Sequence, residues 1–516
     1  MERFMARKAM SLVAVAATIV MATASLSGCS GSMAGRDDGV LKVRIAEDPG
    51  TLDPHTGKSG TSLVIAGYLY DTLVGRSPEG KVVPRLATDW EVSPTSATFT
   101  IREDITCSDG TPLKPSDIAA NFERLKDPKT QSPYAVNFLG STAYTVTSDD
   151  AAGTFSIETP EPFGALLYNL SGFPRIVCAA GLDDTTTLER ASHGTGPYVL
   201  EKVSPGDRYT LKAREGYAWG PEGSTAAEGR APDTVELVVV PNDTTAANLL
   251  LSGGLDLASV DGTERARLEE RDEIASQDVA QGITTLLINQ AEGHPGADAA
   301  IREALVHAVD RGAMTQAGLG QYGAVADSLL LPDAPCYAPS TGESLPDFDV
   351  DAARTVLEGK GLSLKIYSIG VAGSEYVSET WRALGVDTEL NVGDQTGPGM
   401  DVIFGGGDWD AVLLPFSGVV QLSTMAPILT GESPPAGSNF ASVDNPTFLR
   451  LATEASASVG DGACESASEA QRQVFQNSDI APMSFITSGI FYRHGVEYRL
   501  AGSREEAASL TLTDGQ

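Results

Sequence analysis

Five histidines, His55, His193, His294, His307 and His494, are scattered along the 516 residues with no HExxH spacing, so there is no zinc-peptidase helix to build on. Each reads as a surface or hydrogen-bonded structural histidine. Neither GxSxG nor SxxK occurs, which removes the usual serine-nucleophile signatures. Gly318-Leu319-Gly320-Gln321-Tyr322-Gly323 fits GxGxxG, but the dinucleotide-binding form follows a strand and opens a helix. Here it follows a helical stretch and reads as a loop. Gly57-Lys58-Ser59 looks like the end of a phosphate-binding loop, yet Leu52 stands where its first glycine belongs. Acidic pairs such as Asp149-Asp150 read as solvated turns. The cysteines, Cys29, Cys107, Cys178, Cys336 and Cys464, form no CxxC and have no histidine at metal-ligand spacing, so no metal and no cofactor are expected.

The elements that carry these residues alternate between two periods. Leu41 to Ala46, Ala97 to Ile101 and Thr154 to Ile157 alternate apolar and polar, as half-buried strands do. Val235 to Val240 is almost all apolar and β-branched and predicts a strand buried on both faces. Further strands are predicted at 362–369, 388–392 and 410–414. Ile301, Leu305, Ala308 and Val309 share one face at helical spacing. Asp349 to Gly361 has an N-cap aspartate and a terminal glycine, and helices are also predicted over 445–458 and 464–476. The mixture indicates α/β lobes, and the length exceeds what one core supports. Lys+Arg is 36 against Asp+Glu 69, a net charge of -33, and aromatics are 6%. Such a surface repels phosphate backbones and offers few stacking platforms, so no nucleic acid is expected as a partner.

The first 28 residues read as an address. Arg3, Arg7 and Lys8 precede an apolar or small stretch from Ala9 to Leu26, followed by Leu26-Ser27-Gly28-Cys29. That tetrapeptide resembles the bacterial lipoprotein box, which implies export, lipidation of Cys29 and anchoring on the outer face of the cell membrane. Residues 30–38 then form a flexible tether. Cys107, Cys178, Cys336 and Cys464 remain, an even number in an exported chain, with their pairing open.

From Thr51-Leu52-Asp53-Pro54-His55 onward the chain resembles the peptide/nickel/oligosaccharide family of extracytoplasmic solute-binding proteins, family 5, the receptors of ABC importers. The resemblance continues through Tyr70 to Val74, Pro84 to Glu91, Ser108 to Leu113, Asp127 to Leu139 and Gly194-Thr195-Gly196-Pro197-Tyr198. It runs on through Gly253 to Asp256, Ile301 to Arg311 and Trp381 to Val386. Each piece alone is weak; their shared order is specific. It implies a two-lobed α/β fold of the periplasmic-binding-protein kind, class II, with a two-strand hinge. Lobe I would comprise 39–75, 191–285 and 481–516, with an inserted subdomain over 76–190, and lobe II would comprise 286–480. Since a bridge across lobes would resist closure, the implied pairings are Cys107–Cys178 and Cys336–Cys464.

The resemblance also implies a function without catalysis: a monomer enclosing a small-molecule or peptide-like solute and delivering it to ABC permease subunits with their ATPases. The alternatives are a lipid-anchored hydrolase and a binding module that feeds a sensor. Oligopeptide-binding members place an aspartate after a lobe II strand, where it meets the peptide amine. Aligning that strand on Trp409 to Val412 carries the position onto Ser417 to Val419, at Val419. No acidic residue occurs between Ala411 and Gly431, and the stretch holds no arginine. An ordinary peptide held by its free amine is therefore not expected. The implied ligand contacts are Phe416, Ser417, Gly418 and Val419 from lobe II, Asp48, Pro49, Gly50, Thr195 and Gly196 from lobe I, Tyr134 from the insertion, and Phe485 near the return. Core packing is the equal alternative for the Phe and Val residues.

Overall fold

The computed structural model describes residues 39–513, except 135–138, 140, 222–229, 394–396, 418–420 and 502–503. Cys29, read from the sequence as a lipidation site, and residues 30–38, read as a tether, lie outside the described residues. No helix among the described residues is long and apolar enough to cross a membrane.

Alternation in the sequence becomes alternation in burial. In the strand Val40–Ile45, Leu41, Val43 and Ile45 are buried and their neighbours are partly covered. It runs parallel to Thr234–Val239, pairing Leu41 with Val235 and Val43 with Leu237. Thr234–Val239 is not buried on both faces, contrary to its run of β-branched residues. Val235 and Leu237 are buried, but Glu236 is partly exposed and meets Arg208 at 3.1 Å. The reason is its neighbour Arg208–Ala213, an antiparallel strand whose polar residues leave one face open to water. The predicted helices are present with shifted ends. Asp349 caps Val350–Leu357 by accepting from the amides of Asp351 and Ala352, but the helix stops four residues short of Gly361. The last long helix starts earlier than predicted, at Asp461, and ends at Gln476.

These strands belong to one 11-stranded sheet that both lobes share. On the lobe I side it runs through Tyr198–Ser204, Arg208–Ala213, Thr234–Val239, Val40–Ile45 and Leu257–Val260. On the lobe II side it ends in Ala411–Ser417, Ser363–Ile369 and Asp387–Gly393. Two long antiparallel strands connect the sides, Ile274–Ile288, of 15 residues, and Ala481–Arg493, of 13, and the short strand Ala324–Val325 pairs with the second at Phe485 and Ser484. Leu257–Val260 pairs with the far end of the second, from Gly489 to Tyr492, while Ala411–Ser417 pairs with Gly282 to Ile288 of the first. The register shifts between these zones, from Ala280 to Gly282, and again just inside the second, from Thr284 to Thr285. Bulges bend strands and loosen local pairing, so the sheet is weakest where it passes from lobe to lobe.

Each lobe has its own core. Trp381, Trp409, Phe448 and Phe475 anchor lobe II, where Cys336 and Cys464 are joined by a disulfide. The inserted subdomain is a four-stranded antiparallel sheet, in the order Ala87–Ser93, Ser96–Ile101, Thr154–Glu158, Thr145–Asp149. Helix Pro115–Lys126 covers it and places Phe122 against Phe155, ring centroids 5.0 Å apart. A disulfide joins Cys107 to Cys178 at its base.

Candidate functional site

The signature Thr51 to His55 lies where lobe I meets the inserted subdomain. Asp53 takes both terminal nitrogens of Arg124 from helix Pro115–Lys126, at 2.5 and 2.9 Å. The same guanidinium donates to Nδ1 of His55 at 2.9 Å, which leaves Nε2 to donate to the Arg175 carbonyl at 3.0 Å. Burial, with the Arg124 charge second, holds the His55 pKa down to about 4. The imidazole is therefore neutral with its proton on Nε2. The tie is structural: it fixes the insertion to lobe I and offers no open face to a ligand.

Thr195 and Gly196 are equally internal. Thr195 is fully buried and its hydroxyl donates to Asp71 at 3.0 Å. Asp71 also accepts from the Tyr217 hydroxyl and the Trp219 indole, each at 2.9 Å, and faces Arg85, which in turn pairs closely with Glu506. Burial raises the Asp71 carboxyl above its ordinary range against the pull of Arg85 and these donors. A Cβ on Gly196 would stand 2.4 Å from the Leu69 carbonyl carbon, so the residue is glycine because two backbones pass there. Tyr134 is buried, donates to the Gly57 carbonyl and packs on Phe173 with centroids 5.0 Å apart. Neither Thr195 nor Tyr134 presents a surface to the space between the lobes.

The other sequence candidates fall in two groups: Asp48 to Gly50 lie against the Tyr198–Ser204/Arg208–Ala213 hairpin of lobe I, and Phe416, Ser417 and Phe485 lie on strands at the crossing between lobes. Asp48 accepts from the amides of Gly50 at 3.0 Å and Gly206 at 2.6 Å and from the Tyr209 hydroxyl at 2.9 Å. Burial pushes its carboxyl up, but these donors outweigh burial and hold it below its ordinary value. Gly50 is exposed with φ +73°, a left-handed turn that favours glycine, and Pro49 is buried. On the lobe II side Phe416 and Phe485 flank Ile283 in register across three adjacent strands, and Phe485 is buried in the lobe II core. Ser417, opposite Gly282, is exposed beside the hinge. Gly418 and Val419 lie outside the described residues.

Sequence reasoning did not find the contacts that join the insertion to lobe II. The amide of Gly164 donates to the Ser456 carbonyl at 2.8 Å, the Tyr168 hydroxyl donates to the Asp333 carbonyl at 3.3 Å, and Gln421 donates to Asn169. Gly80 packs on the Asp333 backbone, where a Cβ would lie 2.4 Å from its carbonyl oxygen. The faint signal was Gln421, the single amide in an otherwise apolar and hydroxyl-bearing segment after Ala411. These contacts hold the inserted subdomain against lobe II.

A family model described as bacterial extracellular solute-binding proteins, family 5, matches residues 81–425. The chain belongs to this family. This family 5 protein is 27% identical over 338 residues to the nickel-binding periplasmic protein of Escherichia coli K12, covering 61% of this chain and 60% of that protein. It is 27% identical over 333 residues to the glutathione-binding protein GsiB of the same strain, covering 62% and 60%. The match thus spans 60% of the length of these curated relatives. Among solved structures, a substrate binding protein from Microbacterium hydrocarbonoxydans complexed with 4-hydroxybenzoate hydrazide is 29% identical, with a TM-score of 0.71 over 92% of this chain and 100% of that one. The murein tripeptide binding protein MppA in its unliganded open form is 22% identical, with a TM-score of 0.78 over 93% and 98%, and shares the fold. These neighbours agree with the two-lobed architecture of the family 5 protein.

Proposed function

We propose that this protein is the lipid-anchored, extracytoplasmic solute receptor of an ABC importer. It encloses a small solute between its lobes and presents the closed form to membrane permeases, without covalent chemistry. The observation that carries the reading is the shared sheet crossed by two long strands whose register breaks at the lobe boundary. That geometry lets two preformed bodies rotate while the chain stays paired. Differential affinity for the closed state then drives closure. Membership of the solute-binding family supports the same role. Nickel, glutathione and an aromatic hydrazide among the ligands named for relatives show one scaffold serving unlike solutes.

Candidate contacts are Asp48 and Gly50 from lobe I and Phe416 and Ser417 beside the hinge, with Gly418 and Val419 next in sequence. With no acid between Ala411 and Gly431, a peptide α-amine lacks its partner there. Losing such a contact costs about 2–5 kcal/mol. The experiment is intact-mass analysis of solute co-purified with the mature chain, followed by calorimetric titration of that solute and of a short-peptide library. Retained solute, released unmodified, is expected. Turnover that survives repurification, or tight peptide binding abolished by N-acetylation, would refute the reading or its peptide clause respectively.

A further inference from the structure

A cavity of about 520 Å³ lies between the inserted subdomain and lobe II. Val82, Phe163 and Leu167 form one wall, and Leu422, Ala455 and Val459 form the facing one. The Cys336–Cys464 disulfide is built into the lobe II wall and stiffens it. Among the described lining residues the only charged ones are Glu79 and Lys81, both exposed at the edge. Polar atoms are few and already oriented: the Ser423 hydroxyl donates to the Gln421 side-chain oxygen at 3.1 Å, and the Tyr168 ring is braced by Arg76, 3.9 Å from its centroid.

Physical chemistry narrows what such a space takes. Its volume matches that of small-molecule sites, roughly 300–1,000 Å³. An ionised group entering it would lose hydration and find countercharge only at the exposed Glu79 and Lys81. The two walls belong to different bodies, held together by Gly164–Ser456, Tyr168–Asp333 and Asn169–Gln421. The space therefore exists only while these bodies meet, and whatever fills it favours that state.

We propose that this chamber binds the body of a neutral, largely apolar ring-bearing small molecule, with a hydrogen-bonding group set against Gln421 and Ser423, and that filling it is linked to lobe closure. This rests on the solute-receptor reading and names the chemistry of the part of the solute held here, beyond the contacts proposed above, none of which lines the chamber among the described residues. The test is fluorescence titration of the mature chain with N-phenyl-1-naphthylamine, a neutral probe that brightens in apolar surroundings. Its anionic analogue 1-anilinonaphthalene-8-sulfonate serves as the comparison. Saturable binding of one neutral probe per chain is expected, with the sulfonate weaker by about tenfold or more. Val459→Glu alters an exposed lining residue and Ala455→Phe fills the space; each should weaken the neutral probe by about tenfold, with melting temperature confirming the fold. Non-saturable binding, or unchanged binding in both variants, would overturn the proposal. Co-purified solute retained equally by both variants would overturn the chamber but leave the receptor reading standing. Probe binding that follows the expected pattern in a chain retaining no solute would support the chamber and count against transport.

Discussion

Replacing Gly164 with alanine addresses closure directly and touches no candidate contact at the hinge. An ideal Cβ on Gly164 would sit 1.8 Å from the Ser458 carbonyl oxygen, 3.0 Å from its carbon and 3.2 Å from the Ser456 oxygen. All three are backbone atoms, so no rotamer change relieves the overlap. The insertion and lobe II must separate, and the 2.8 Å bond from Gly164 to Ser456 goes with them. Forced overpacking costs about 1–3 kcal/mol. The lost hydrogen bond adds about 0.5–1.5 kcal/mol. Together they weigh roughly 2–4 kcal/mol against the closed state, which lowers affinity for a solute bound only there by roughly 30- to 700-fold. Either lobe alone is unaffected, because the clash lies between bodies. Small-angle X-ray scattering should show a larger radius of gyration for Gly164→Ala, and calorimetry should show weaker binding of the co-purified solute with the melting temperature little changed. An unaltered scattering profile with unaltered affinity would refute the argument.

Three further outcomes are expected. Asp71→Asn should destabilise the fold by about 3 kcal/mol in urea unfolding, the low end for breaking a buried ion pair because Glu506 still faces Arg85. His55 is held neutral with a pKa near 4 against an ordinary 6.5. The unfolded chain therefore binds the extra proton between those values, and stability present above pH 6.5 is lost as pH falls towards 4. The slope is at most about 1.4 kcal/mol per pH unit, and His55→Gln should flatten it in denaturant midpoints taken across that window. Cys29→Ser should release the protein from the membrane fraction or leave it unprocessed; a normally cleaved, membrane-bound variant without lipid would contradict the anchor.

Strand positions were legible because alternation commits each residue to a face. The strand read at 154–157 spans Thr154–Glu158, and that at 388–392 spans Asp387–Gly393. The over-reading of Val235 to Val240 shows the limit, since a neighbour's polarity, not the strand's own residues, decides whether both faces are covered. Motifs of polar and aromatic residues misdirected in a consistent way. Thr195 and Tyr134 have the chemistry of ligand contacts, but the buried Asp71 carboxylate and the Gly57 carbonyl take their hydroxyls. The chamber was invisible for the opposite reason. Its lobe II wall includes Ala452, Ala455, Ala463 and Ala467, small residues at helical spacing that read as ordinary packing until the insertion is placed against them.

The placement of Ala481–Arg493 also governs how the molecule comes into being. This strand lies between Leu257–Val260 and Ile274–Ile288, so it completes the sheet for both lobes, yet it is made after nearly all of either. Its partners at 257–260 precede it by more than two hundred residues, a separation that makes pairing slow. An emerging chain therefore exposes two open sheet edges until its final segment arrives. Under the proposed extracytoplasmic role this is an advantage, because the lobes stay short of their native state while the chain is threaded outward and pair fully only once residues 481–493 have crossed. Deleting residues 481–513 should leave two incomplete, aggregation-prone bodies rather than one intact lobe.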